Sequence, residues 1–134
     1  MSRKVQRYSQ LQTDELPKTK VLILDTIGLL NACYASAQMA YVGGGMGTSG
    51  LHNVLEPAAA GIPVVIGKNY QKVEEAKEMI RLGGMLSVQN SKSFTEVLYR
   101  IAKDSKQRMD MGEINHGFAN AQKGASSRIL DFLA

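Results

Sequence analysis

Residues 39–67 read Met-Ala-Tyr-Val-Gly-Gly-Gly-Met-Gly-Thr-Ser-Gly-Leu-His-Asn-Val-Leu-Glu-Pro-Ala-Ala-Ala-Gly-Ile-Pro-Val-Val-Ile-Gly. Met39 to Val42 is a short apolar run that predicts a strand, and Gly43 to Gly50 is a glycine-rich loop. Small residues from about Asn53 to Ala60 predict a helix, and Pro63 to Ile66 a second, buried strand. The stretch is one β-loop-α-β unit. Its loop glycines allow sharp turns and let a ligand approach the main chain without meeting a Cβ. The helix that follows directs unpaired N–H groups and a positive dipole end at that space, which suits an anionic ligand.

Neither common nucleotide fingerprint decides the matter. A phosphate-binding P-loop ends in Lys followed by Ser or Thr, whereas Gly50 is followed by Leu51. The pattern Gly-x-Gly-x-x-Gly fits Gly45, Gly47 and Gly50, a match that glycine-rich turns make by chance. The segment His52-Asn53-Val54-Leu55-Glu56-Pro57 is more informative. Pro57 lacks an N–H and fits only the first helical turn, so the helix cannot begin much before Asn53. Asn53 is then the expected N-cap, with Glu56 in the first turn beside the loop. The Glu56 carboxylate can reach back to free N–H groups as a cap, or it can accept hydrogen bonds from two neighbouring ribose hydroxyls.

Upstream, Val21-Leu22-Ile23-Leu24 predicts a buried strand of a parallel sheet. Ile27 to Ala37 has apolar residues at helical spacing, with Asp25 or Thr26 as its expected cap. Asp25, Thr26 and Gly28 would then lie at the C-terminal edge of a strand, where open α/β sheets bind ligands. The single cysteine, Cys33, excludes an internal disulfide. Its apolar helical setting predicts a buried, reduced thiol, consistent with a cytosolic environment. Downstream, a helix is expected over Tyr70 to Gly83 and a strand over Met85 to Val88. A further helix opens at Ser91 or Ser93. A C-terminal helical region over 105–134 is expected to break near Gly112, Gly117 and Gly124. Residues 1–20 read as an irregular or edge segment. His116 has no second ligand at metal-binding spacing, and the scattered methionines read as core packing.

A chain of 134 residues suggests one domain. Its apolar runs fall short of the roughly 18 residues that a membrane span requires, so a soluble chain is expected. The net charge of +4 is unevenly placed: the 47 residues from Val21 to Gly67 hold no Lys or Arg and only two acids, Asp25 and Glu56. A phosphate held there would be bound by backbone N–H groups and helix ends, with Lys68 as the nearest cation. Arg3, Lys4, Arg7, Lys18 and Lys20 make a basic N-terminal segment, but Tyr8 is its only aromatic platform. It reads as a solvated surface rather than a nucleic-acid site. Alternating strands and helices predict an α/β fold with a Rossmann-like parallel sheet of about four strands, short of the usual six of a doubly wound domain.

Asp25-Thr26-Ile27-Gly28, Tyr41-Val42-Gly43-Gly44, His52-Asn53-x-Leu55-Glu56-Pro57-Ala58-Ala59 and Gly61-x-Pro63-Val64 together resemble the C-terminal domain of the 3-deoxy-D-manno-octulosonic acid (Kdo) transferases. These are two-domain GT-B glycosyltransferases. The resemblance implies transfer of Kdo from CMP-Kdo to a lipid A precursor at the cytoplasmic face of the bacterial inner membrane, with inversion and without a metal or other cofactor. It places Ile27, Gly28 and Leu29 along the nucleotide, and Asn53, Val54, Leu55 and Glu56 in a second contact run. Gly43, Gly44, Gly45 and His52 would support them. The family commonly has Met-Gly-Glu where this chain has Ile27-Gly28-Leu29, so a backbone contact survives there and a carboxylate contact does not. The resemblance also implies that strands of the same domain, the acceptor domain and the general base lie outside this chain. No residue here is then catalytic, and the chain alone is expected to be inactive. Without those strands, Met39 to Val42 would present an open edge that invites a homodimer. Two other readings fit the residues: another nucleotide-sugar GT-B transferase or epimerase domain, and a noncatalytic Rossmann-like ligand-binding module.

Overall fold

A computed structural model describes residues 4–133. The chain packs as two compact units, Met1–Cys33 and Tyr34–Ala134, each with its own parallel sheet. The strands expected in one sheet therefore lie in two, and among the described residues there are five rather than about four. The additional strand is β1 (Lys4–Arg7), within the segment expected to be irregular or an edge, and in a two-stranded sheet it is an edge strand.

In the first unit β1 pairs in parallel with β2 (Thr19–Ile23), with Arg7 opposite Ile23. Two short 3-10 turns, Tyr8–Gln10 and Thr13–Lys18, carry the chain between them. The Gln6 side chain fastens this crossover, accepting from Gln12 N at 2.9 Å and donating to Thr19 Oγ1 at 2.6 Å. β2 matches the expected strand in position but not in burial. Val21, Leu22 and Ile23 are 40–44% exposed, because a two-stranded sheet gives β2 a single neighbour and covers little of its side chains. Helix α1 (Leu30–Ser36) follows, spans the boundary between the units and buries none of its residues. Cys33 is accordingly exposed, not the buried thiol that its apolar surroundings in the sequence suggested.

The second unit is built on β3 (Ala40–Val42), β4 (Val64–Ile66) and β5 (Met85–Ser87), all parallel in that order. β4 is central, and Val64, Val65 and Ile66 are all fully buried. Side chains alternate across a strand. Val64 and Ile66 pack in a cluster with Ala58 of α2 (Leu55–Ala59), Ala76 and Met79 of α3 (Glu74–Leu82) and Ala119 of α5 (Ser105–Leu133). Val65 packs in a second cluster with Ile101 of α4 (Ser91–Lys103) and Met111 of α5. The continuous apolar run at β4 thus reflects burial on both faces, as in other parallel sheets.

α4 opens at Ser91, one of the two positions expected, whereas α5 differs from expectation in its interior. The cap of α4 is Asn90, whose side chain accepts from Ser93 N at 2.9 Å, while Ser93 Oγ accepts from Asn90 N at 3.1 Å. This reciprocal box satisfies free N–H groups at the start of the helix. α5 runs unbroken through Gly112, Gly117 and Gly124. Gly112 permits a close helix approach: a Cβ there would lie 2.1 Å from the Gly61 carbonyl oxygen. One turn further on, the fully buried Asn115 donates from Nδ2 to the carbonyls of Ile62 and Gly84, both at 2.8 Å. Those residues lead into β4 and β5, so one side chain ties α5 to two strand entries. Asn115→Leu removes the side-chain donor of both buried carbonyls, leaving Gly84 O only the longer bond from Val64 N at 3.5 Å. It is expected to destabilise the unit by roughly 2–4 kcal/mol, read as a lower urea midpoint; an unchanged midpoint would refute this role.

Candidate functional site

The C-terminal ends of β3 and β4 lie side by side in the sheet, so the loops that leave them, residues 43–54 and 67–73, are neighbours. The glycine loop is closed by backbone bonds. His52 N donates to Gly43 O at 3.0 Å, and Asn69 N donates to Gly45 O at 2.7 Å. Asn69 Nδ2 adds a bond to Gly47 O at 3.0 Å. The expectation that the loop glycines make room for a ligand needs correction at Gly44 and at Gly45, which packs against Gly67. A Cβ on Gly44, at φ +90°, would lie 2.0 Å from Gly50 O, and one on Gly67 would lie 2.3 Å from the Gly45 carbonyl carbon. At Gly44 and Gly67 the missing side chain admits the protein's own backbone. At Gly47 a Cβ would meet no atom within 4 Å. Beside it runs a cleft of about 440 Å³ whose lining includes Thr48, Leu51, Asn69, Tyr70 and Lys72.

His52 is exposed, and its ring flanks Gly43 and Gly44. Helix α2 begins one residue later than expected: Val54 is its N-cap and has no side-chain cap bond. Asn53 still serves the helix start from one position further out, because its Oδ1 accepts from Leu55 N at 2.9 Å. Val54 is 2% exposed and belongs to the core, so it can offer a ligand only its main chain. Leu55 is half-buried and helps line a separate groove beside α5. Glu56 is exposed in the first turn, and no side-chain hydrogen bond engages it among the described residues. Tyr34, which the sequence did not single out, is half-buried, and its phenol is held above its ordinary range by burial and then by the negative charge of Glu56. Among the described residues Lys68 and Lys72 take part in no salt bridge.

The second candidate group, Ile27, Gly28 and Leu29, lies in the unit Met1–Cys33. Ile27 is fully exposed. Gly28 has φ +95°, a left-handed conformation that favours glycine. Asp25 is not the cap of α1, which starts five residues later. Its Oδ2 accepts from Ser9 Oγ at 2.5 Å and its Oδ1 from Ser9 N at 3.0 Å. These two bonds, the hydroxyl's first, hold the Asp25 carboxyl below the usual carboxylate range.

No protein-family model matches the chain. Over 118 residues, 87% of this chain, it is 30% identical to a 3-deoxy-D-manno-octulosonic acid transferase of Bordetella pertussis. Over 131 residues, 95% of the chain, it is 30% identical to a protein of the same name from Haemophilus influenzae. The fold matches the crystal structure of the C-terminal CMP-Kdo binding domain of WaaA from Acinetobacter baumannii, with a TM-score of 0.73 and 23% identity, covering 87% of this chain and 61% of that one. In sequence the chain is similar to the 3-deoxy-D-manno-octulosonic acid transferases, and in fold to the Acinetobacter domain. It spans 28% and 31% of the length of the two relatives. The fold shared with the Acinetobacter domain agrees with the parallel α/β architecture read from the sequence.

The close backbone contact at Gly67 yields one prediction and the Asp25 carboxylate another. Gly67→Ala is expected to displace the loop, shifting the amide resonances of 43–50 while those of α4 stay in place; an unshifted loop would show that the contact is dispensable. The Ser9–Asp25 bonds favour the ionised carboxylate. Their contribution is complete above the usual carboxylate range and is lost as pH falls through the lowered value. The Ser9 amide resonance should follow that titration, and in Asp25→Asn it should not.

Proposed function

We propose that this chain forms the donor-nucleotide side of a glycosyltransferase that transfers Kdo from CMP-Kdo to a lipid A precursor. The observation that carries this reading is the fold likeness to a CMP-Kdo binding domain over 87% of the chain, together with the named relatives at 30% identity. Breaking the bond between sugar and phosphate sends its electron pair to the phosphate oxygen of the departing CMP. Backbone N–H groups around a glycine loop and a helix start can stabilise that charge without side-chain cations. In this proposal Ile27, Gly28 and Leu29 run along the nucleotide through their main chain. Asn53 to Glu56 form the second run, with the Glu56 carboxylate accepting from the ribose hydroxyls. Gly43, Gly44, Gly45 and His52 support the loop, and no metal or cofactor is assigned. No acceptor contact, general base or attachment to the cytoplasmic face of the inner membrane is assigned to the residues named here. Among the described residues no helix is long and apolar enough to cross a membrane.

The test is a titration of the chain with CMP, UMP and AMP followed by amide NMR. CMP should shift resonances between Gly43 and Glu56 more than the other two do. Glu56→Ala should weaken CMP binding about tenfold or more, the effect expected from losing a hydrogen bond to a charged group. An equal response to all three nucleotides, or none, would overturn the assignment. The chain by itself should transfer no Kdo. β3 is the outer strand of its sheet in the described structure, and self-association through that edge is part of the proposal. Sedimentation at increasing concentration should show a growing dimer, and a constant monomer would remove this element.

A further inference from the structure

We propose that Ser9 and Asp25 are positioning residues for the donor nucleotide, acting on the Ile27-Gly28-Leu29 segment. The inference rests on the donor-binding reading above and assigns a task to two residues that it leaves without one. β1 and β2 end in register, Arg7 opposite Ile23. Ser9 and Asp25 each lie two residues further on, Ser9 within the 3-10 turn Tyr8–Gln10, so their bonds join the two segments just past the paired strands. There the Asp25 carboxylate stands in for a backbone acceptor. Both its oxygens are taken by one residue, the amide on Oδ1 and the hydroxyl on Oδ2. Two bonds to one partner fix the orientation of the carboxylate as well as its position.

The segment beyond Asp25 has little else to hold it. Thr26, Ile27 and Gly28 are exposed, and a Cβ on Gly28 would meet nothing within 4 Å. Regular structure resumes only at α1, through the bond from Cys33 N to Leu29 O at 3.2 Å. The segment is thus tethered at Asp25 on one side and at the first turn of α1 on the other. A backbone that must present its amides to an anion loses less freedom on binding if one end is already fixed. Ser9 and Asp25 supply that fixed end without touching the ligand. The bracket also accounts for an acid in a stretch that contains only one other charge, Glu56.

CMP binding by Ser9→Ala and Ser9→Thr, measured by amide NMR on the whole chain beside wild type and Glu56→Ala, tests this. Threonine keeps the hydroxyl and alanine removes it. Ser9→Ala is expected to weaken CMP binding about tenfold, the usual worth of one charge-assisted hydrogen bond, and Ser9→Thr to stay within about twofold of wild type. In Ser9→Ala the resonances of Ile27 to Leu29 should shift before any nucleotide is added, with the β1–β2 pattern intact. Wild-type affinity in Ser9→Ala would overturn the proposal, as would equal loss in Ser9→Thr. Loss of the β1–β2 pattern in Ser9→Ala would also overturn it, marking the bond as structural. If Glu56→Ala weakens binding while Ser9→Ala does not, this proposal falls and the donor-site reading stands. If the wild type binds no CMP, both fall.

Discussion

Strand β4 is hydrogen-bonded on both edges and buried on both faces, and the arrangement of the second unit follows from that double confinement. A three-residue strand with Val64, Val65 and Ile66 all out of water must be flanked by parallel partners and covered by helices above and below. Each parallel neighbour then has to be reached by a crossover, which α2 and α3 provide. The crossovers put the chain's turns at the C-terminal ends of β3 and β4. There the glycine loop and the loop after Gly67 come close enough for backbone to touch backbone. The candidate site is therefore a by-product of how β4 is buried. It is also rigidly referenced to it, since Gly45 and Gly67 leave no room for a side chain between them.

A site built in this way has little side-chain charge of its own. Residues 21–67 contain no Lys or Arg, and the loop is held by main-chain bonds, with Asn69 as a side-chain clasp. Such a surface suits an anion whose charge grows as a bond breaks, because fixed amide dipoles need not reorganise. The acids are as sparse and as specifically placed. Glu56, at the start of α2, has no side-chain hydrogen bond among the described residues, and both oxygens of Asp25 are engaged by Ser9. Two carboxylates that look alike in the sequence thus have opposite situations, one available to a ligand and one already satisfied.

The strands at 40–42, 64–66 and 85–87 were legible from short apolar runs bounded by glycine and proline, and the glycine loop from its composition. The errors share one cause. Local pattern reports what a residue prefers and not what the fold leaves beside it. Val21 to Ile23 look like a core strand but sit in a two-stranded sheet, and Cys33 looks buried but lies on a helix that buries nothing. Gly112 looks like a helix breaker, yet it is the point where α5 meets the turn at Gly61. Asp25 looks like a cap because it precedes a helix, whereas its partner lies 16 residues back along the chain.

By itself the sequence determined the alternation of strands and helices, the place of the glycine loop, and the blocks around Asp25 and His52 that resemble the Kdo transferases. All of these depend on neighbours a few residues apart, through periodicity, proline geometry and turn chemistry. Only the tertiary structure decided that the strands divide between two sheets, that Asn115 ties two strand entries, and that Ser9 holds Asp25. Each of those joins residues distant in the chain, and such pairings are set by packing and hydrogen-bond geometry rather than by local preference.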